Sequence, residues 1–236
     1  LSTRRQRQMC IRDSSKSMIA YVKDEYGVDP VYEAQAGEKE TDFRSYLLKA
    51  KATNPDALVC SGLVDETVRC LVQSYEVGIP KSVARVANSV ASKVEVPTNA
   101  GKAAVGVSYA AAFAASDTRP IAKKFVKHIK SRYGVVPGHD FSQMEDLLTM
   151  LKPALEKAEK GFSGDLASDR KAVRDSIAGI TNFTGLASGP ISFCAAGTPE
   201  CRDGNRTPVM IEYTKGGKNW KTKVAGTVTF NASAGL

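Results

Sequence analysis

Two short stretches carry the side chains best placed to hold a small molecule: Ser61-Gly62-Leu63-Val64-Asp65 and Asn88-Ser89. Each follows a short apolar run, Ala57–Cys60 and Ser82–Ala87, and each comes just before a helical pattern. Hydroxyl and carboxamide groups both donate and accept hydrogen bonds, so the chemistry on offer is recognition by neutral polar groups. The residue types for catalysis are sparse. Only two histidines exist, His128 and His139, and neither has metal-ligand spacing. No Gly-x-Ser-x-Gly, phosphate-binding glycine loop or paired metal motif occurs. His128 lies on a lysine-rich helical pattern and His139 follows Pro137-Gly138, positions that suit exposed residues.

The elements around these stretches read as helix, strand, helix. Thr41 or Asp42 caps a helix showing Phe43, Tyr46, Leu47 and Ala50 on one face. Asn54-Pro55-Asp56 breaks it, because proline cannot continue a helix. Ala57–Cys60 has the pattern of a strand buried on both sides. Asp65-Glu66 opens a second helix where its dipole favours acids, with Val68, Leu71, Val72 and Tyr75 inward and Gly78 as its stop. Strands alternating with helices imply a mostly parallel sheet, and such sheets bind ligands at the carboxyl ends of their strands. That rule selects the loop Ser61–Asp65 as the first place to look for function.

The same reading extends along the chain. Residues 15–26 form a helix, 30–34 a short strand, 92–104 a weak helical piece and 105–113 a strand. Pro120–Tyr133 is an amphipathic helix with Ile121, Phe125, Val126 and Ile129 inward. Residues 142–160 form a long helix with Met144, Leu147, Leu148, Leu151 and Leu155 inward, and Pro153 should kink it. Residues 169–180 form a third helix, and a ribbon turns at Lys215-Gly216-Gly217-Lys218. Residues 15–112 thus alternate α and β, whereas 113–236 hold three helices and a ribbon with no parallel sheet to cover. The helical apolar faces there need a partner that the sequence does not supply, and the chain is expected to fold poorly alone.

The 236 residues are 42% hydrophobic and 25% charged, as in ordinary globular proteins, and no apolar run reaches membrane-span length. The charge of +8 and pI of 9.2 arise from lysines and arginines scattered over helix faces, without the interleaved aromatics of a nucleic-acid surface. Of five cysteines, Cys194 and Cys201 flank Gly197-Thr198-Pro199 closely enough for a local disulfide, which would imply an oxidising compartment; the alternative is two unrelated thiols. Cys60 and Cys70 read as small core residues. Residues 1–14 are basic and lack the apolar stretch of a signal peptide; Arg-Gln-Met-Cys-Ile-Arg-Asp-Ser has the look of translated sequencing adapter, so this stretch is expected to be foreign and the reading frame incomplete.

The ordered series Thr-Asp-Phe, helix, Asn-Pro-Asp, apolar strand, Ser-Gly, Glu, helix, Gly-Ile-Pro resembles the branched-chain amino-acid type of ABC-transporter substrate-binding protein, the type I periplasmic binding fold. The resemblance continues through Pro120–Gly134, the 147–158 helix, Thr184-Gly185, Gly189-Pro190-Ile191-Ser192-Phe193 and the Val209–Lys218 ribbon, so it covers about residues 15–220. It implies an α/β architecture: a parallel sheet flanked by helices, with two lobes closing on a ligand. Residues 15–112 would be most of the second lobe, 113–190 helices of the first lobe without its sheet, and 191–236 a ribbon crossing back.

What the resemblance implies for function is an extracytoplasmic, periplasmic or lipid-anchored, solute-binding component of an ABC importer. It would be monomeric when full length, with no cofactor and no catalytic role, and would deliver a small ligand to permease membrane subunits. The family's ligand-packing aromatic falls at Leu63, its ammonium-holding acid at Ala87 or Asn88, and a further ligand aromatic near Ser14–Ser15. The implied ligand-binding set is Ser61, Leu63, Asn88, Ser89 and Ser15. Asn88 supplies no charge, and a charge-assisted bond is worth about 1.5–3 kcal/mol against about 1 kcal/mol for a neutral one. The expected ligand is therefore amino-acid-like or a small carboxylate, amide or aromatic acid, other than Leu, Ile or Val. A receptor ectodomain would use the same fold, and a Rossmann-like enzyme is the remaining alternative.

Overall fold

Asn54-Pro55-Asp56 ends one helix and releases the chain into its first strand, and this helix-to-strand alternation sets the architecture up to residue 111. In the computed structural model, which describes residues 15–37, 40–187, 190–193 and 207–227, residues 15–26 form helix α1. There follow α2 (Arg44–Ala52), β1 (Ala57–Cys60), α3 (Val64–Glu76), β2 (Ala84–Ala87), a 3₁₀ turn (Ser89–Ser92), α4 (Glu95–Ala100), a second 3₁₀ turn (Gly101–Ala104) and β3 (Val107–Ala111). The remainder comprises α5 (Pro120–Tyr133), α6 (His139–Glu159), α7 (Leu166–Ala178), β4 (Val209–Lys215) and β5 (Lys221–Thr227). The strand order is β1-β2-β3-β4-β5, with β1, β2 and β3 parallel. The chain divides into two units: unit 1 runs to Tyr109 and includes Glu212–Lys221, and unit 2 holds Ala110–Ile211 and the residues from Thr222.

In unit 1, Phe43, Leu47, Ile79 and Val83 form a buried cluster to which Tyr46, Leu58 and Cys70 add. Gln73 ties the entry to α2, its Oε1 accepting from Phe43 N at 2.5 Å and its Nε2 donating to Thr41 O at 2.9 Å. Phe43 is the N-cap, without a side-chain cap bond; Asp42 instead accepts from Arg44 N at 3.1 Å. Arg85, buried in β2, donates to Ile79 O at 2.8 Å, and desolvation lowers its pKa from the usual arginine value. Tyr213 is fully buried beside Tyr109, ring centroids 5.2 Å apart, and its hydroxyl donates to Ala91 O.

Unit 2 is built on small residues. The buried row of α6 is Ser142, Asp146, Met150, Ala154 and Ala158, and the short alanines let α7 approach so that Ser176 Oγ donates to Ala154 O at 2.7 Å. Two apolar clusters complete this unit: Phe113, Ala122 and Leu186, and Met150, Ala187 and Ile191. Asp165 caps α7, accepting from Ser168 N at 2.8 Å, and that bond holds its pKa below the ordinary carboxylate value.

Several expectations are corrected. Residues 30–34 form no strand: Val31 is exposed and β1 stands at the end of the strand order, so this segment neither pairs nor buries a face. β1 is not buried on both sides, since Ala57 and Val59 are exposed and only Cys60 is buried. The buried face of α3 centres on Thr67, Leu71 and Ser74, with Val68, Val72 and Tyr75 only half-buried. Of the α6 row read as inward, Met144, Leu147, Leu148 and Leu155 are exposed, Leu148 by 65% and Met144 by 61%, and Leu151 is half-buried, because the row Ser142, Asp146, Met150, Ala154 and Ala158 takes the packed position. Ile121 of α5 is likewise exposed, while Ala122 and Ile129 are buried. Cys60 and Cys70 are not free core thiols but a disulfide, because one turn of loop and six residues of helix return the α3 backbone to the end of β1, Cα–Cα 6.0 Å. Cys194 and Cys201 lie outside the described residues.

Candidate functional site

The parallel register Cys60↔Ala87 brings the carboxyl ends of β1 and β2 level. The loops that follow them therefore leave the sheet side by side. Asn88 Nδ2 donates to Gly62 O at 2.9 Å, joining the loops directly. Ser15, in α1, donates its Oγ to Ser61 Oγ at 3.4 Å. Ser61, Leu63 and Ser89 are exposed, Leu63 by 41%, and Asn88 is half-buried. The geometry thus joins Ser15 to Ser61 and Gly62 to Asn88, while Leu63 is the N-cap of α3 and Ser89 opens the 3₁₀ turn.

Glycine at 62 is required by close approach. A Cβ there would sit 2.8 Å from Glu66 Cβ and 3.6 Å from Thr67 N, so the loop folds directly onto the first turn of α3. This approach buries polar groups without answering them. Glu66 Oε2, Thr67 Oγ1 and Asn88 Oδ1 are buried and have no hydrogen-bond partner among the described residues. Thr67 is 1% exposed. A buried polar atom left without a partner costs about 1–3 kcal/mol. The Cys60–Cys70 disulfide closes a ring over this segment, a ten-residue separation that on the chain-entropy model stabilises by about 2–3 kcal/mol. Sequence reasoning pointed to the loop Ser61–Asp65 through the strand-end rule and to Leu63 and Asn88 through the resemblance. It missed Glu66, Thr67 and the crosslink. Cys60 and Cys70 stand at no motif spacing, and only the return of α3 over β1 brings them together.

Elsewhere, a concave stretch of unit 2 is lined by Ala115, Lys123, Val126, Lys127, Lys130 and Ser131, along α5. Its charges are on flexible stems and all of one sign. No group of three or more His, Cys, Asp or Glu placed to hold a metal occurs among the described residues. No described helix is long and apolar enough to cross a membrane.

A model of the periplasmic binding protein family matches residues 11–202. The chain belongs to that family. Solved structures agree in fold. The leucine-binding protein LivK of Thermotoga maritima is 24% identical, with a TM-score of 0.67 over 84% of this chain and 51% of its own. The branched-chain amino-acid transporter substrate-binding protein LivJ of Streptococcus pneumoniae, solved with isoleucine, is 21% identical, with a TM-score of 0.73 over 91% of this chain and 56% of its own. A solute-binding protein of an ABC transporter from R. palustris, solved with benzoate, is 17% identical, with a TM-score of 0.72 over 92% of this chain and 57% of its own. This periplasmic binding protein chain therefore spans about half the length of these structures. No curated protein sequence matches it. The fold is the type I periplasmic binding fold, a sheet flanked by helices.

Proposed function

We propose that this chain serves as the extracytoplasmic solute-binding component of an ABC importer, capturing a small amino-acid-like or organic-acid ligand and passing it to the permease. The observation that carries this reading is the pair of adjoining loops at the carboxyl ends of β1 and β2, tied by the Asn88–Gly62 bond, with Ser61, Leu63 and Ser89 exposed beside it. Parallel α/β sheets take ligands at that end. The ligand-binding residues in this reading are Ser15, Ser61, Leu63, Asn88 and Ser89. Leu63 supplies apolar contact, and the serines and Asn88 supply neutral hydrogen bonds.

In this reading residues 15–112 form the ligand-binding part of one lobe, 113–190 contribute helices to the other, and 191–236 cross back. The exposed α6 row of Met144, Leu147, Leu148 and Leu155 supports that division, because such a row calls for a cover. The relatives solved with isoleucine and with benzoate support a small carboxylate-bearing ligand. Asn88 carries no charge, so ligands other than Leu, Ile and Val are favoured.

The test is calorimetric titration of the chain in its full coding context with L-leucine, L-isoleucine and benzoate. The reading predicts saturable one-to-one binding of a carboxylate, with leucine the weaker. Micromolar affinity for leucine would rule out the ligand preference, and no binding by any small carboxylate, amide or amino acid would rule out the function.

A further inference from the structure

We propose that the Cys60–Cys70 disulfide is a positioning element for residues 61–67, the loop after β1 and the first turn of α3, holding them in an arrangement their own polar groups disfavour, so that binding there depends on the crosslink. The inference rests on the proposed binding role of this loop. Two independent observations carry it. The first is the crosslink itself, which joins the last residue of β1 to the second turn of α3 and encloses Ser61, Gly62, Leu63, Glu66 and Thr67 in one covalent ring. The second is that Glu66 Oε2 and Thr67 Oγ1 within the ring, and Asn88 Oδ1 against it, are buried with no hydrogen-bond partner among the described residues.

These observations bear on each other. A loop with unanswered buried acceptors gains free energy by opening, since each group then finds water. The backbone around it resists weakly. β1 is four residues long, stands at the end of the strand order and buries only Cys60. The disulfide removes the open alternatives by tying both ends of the segment. Ser61 and Leu63 are then presented in one geometry, and a ligand need not spend binding energy ordering them. Reduction transfers two electrons and two protons from a dithiol, which becomes a cyclic disulfide, and breaks the sulfur–sulfur bond into two thiols. The loop is then free to answer Glu66 and Thr67 with solvent.

Hydrogen exchange read by mass spectrometry on the full chain tests this. Reduction by dithiothreitol, and independently the Cys60→Ala/Cys70→Ala variant, should accelerate exchange of amides 61–67 by about tenfold while amides of β2 and β3 keep their rates. Unchanged exchange at 61–67 overturns the proposal. Acceleration spread evenly over β1, β2 and β3 also overturns it, since that is a crosslink serving general stability. Thr67→Val in the Cys60→Ala/Cys70→Ala variant removes one unanswered hydroxyl at equal volume and should restore part of the lost protection; no restoration refutes the role given to the buried polar groups. Titration with L-isoleucine and benzoate separates this from the binding reading. Weaker binding by the Cys60→Ala/Cys70→Ala variant than by the parent supports the positioning role, and equal affinity refutes it. If the oxidised parent binds neither probe nor any related carboxylate, the binding reading fails, whatever the exchange pattern shows.

Discussion

The loop at Gly62 and the segment at Gly185 use the same ingredients to opposite ends. Each packs a glycine against an acidic side chain with a buried oxygen. A Cβ at Gly62 would meet Glu66 Cβ at 2.8 Å, and one at Gly185 would meet Asp146 Oδ1 at 2.1 Å. At Gly185 every party is answered. Asp146, 3% exposed, accepts from Leu186 N at 2.6 Å and Ala187 N at 2.7 Å. Arg119 donates to Leu186 O at 2.6 Å and to Gly185 O and Ala187 O at 3.3 Å each, while Asp117 holds its guanidinium at 2.7 Å. At Gly62 three buried atoms go unanswered and a disulfide spans the gap. The difference teaches which of the two is scaffold. A satisfied polar cluster has nothing to gain from a ligand or from motion, whereas an unsatisfied one has both to gain.

The largest expected effect falls on the scaffold. Asp146→Ala strands two buried amide donors and should destabilise unit 2 by about 2–5 kcal/mol, read as a lowered urea midpoint. Gly185→Ala should match it in direction, because the added carbon cannot coexist with Asp146 Oδ1 at 2.1 Å. A cost below about 0.5 kcal/mol for Asp146→Ala would break the contrast between the two regions.

A second effect, smaller, concerns Tyr213, a satisfied polar residue of unit 1. Tyr213→Phe removes its bond to the buried Ala91 carbonyl and should cost about 1–2 kcal/mol. The tyrosine pair also sets an alkaline limit. Burial pushes the Tyr109 pKa up to about 12 from the ordinary 10.0, so the fold favours the protonated phenol. Its contribution is complete below pH 10 and is lost as the pH rises towards 12. Denaturant midpoints should fall across that window, and the fall should shrink in Tyr109→Phe.

The smallest effect has the opposite sign. Thr67→Val replaces an unanswered hydroxyl with a methyl group of similar volume and should be neutral or stabilising by up to about 1 kcal/mol. A loss above about 1 kcal/mol would show that the Thr67 hydroxyl is answered after all, which removes the contrast with Asp146.

Much of the frame was legible in the sequence. Proline and glycine punctuation placed α5 at Pro120–Tyr133 and β1 at Ala57–Cys60, because those residues act through local backbone sterics. The strand-end rule led to the loop at Ser61, because it needs only the place where β1 ends. What failed depended on distant partners. Periodicity showed the leucine row on α6 as its inward face, but whether Leu148 or Ala154 is buried is decided by what packs there, and α7 requires the short side chain. The strand expected at 30–34 has the right residues and no neighbour to bond. Glu66 and Thr67 looked like ordinary first-turn helix residues, and their burial follows from Gly62 folding onto them.

The central claim is that the loops after β1 and β2 form the solute-binding surface of this periplasmic binding protein. The measurement that bears on it most directly is a backbone amide chemical-shift titration of the chain in its full coding context, with L-isoleucine and with benzoate. The account predicts saturable shifts with benzoate, at lower concentration than with L-isoleucine, concentrated at Ser61, Gly62, Leu63, Asn88 and Ser89. Binding whose shifts fall elsewhere, or no shift at these five amides with either probe, would contradict it.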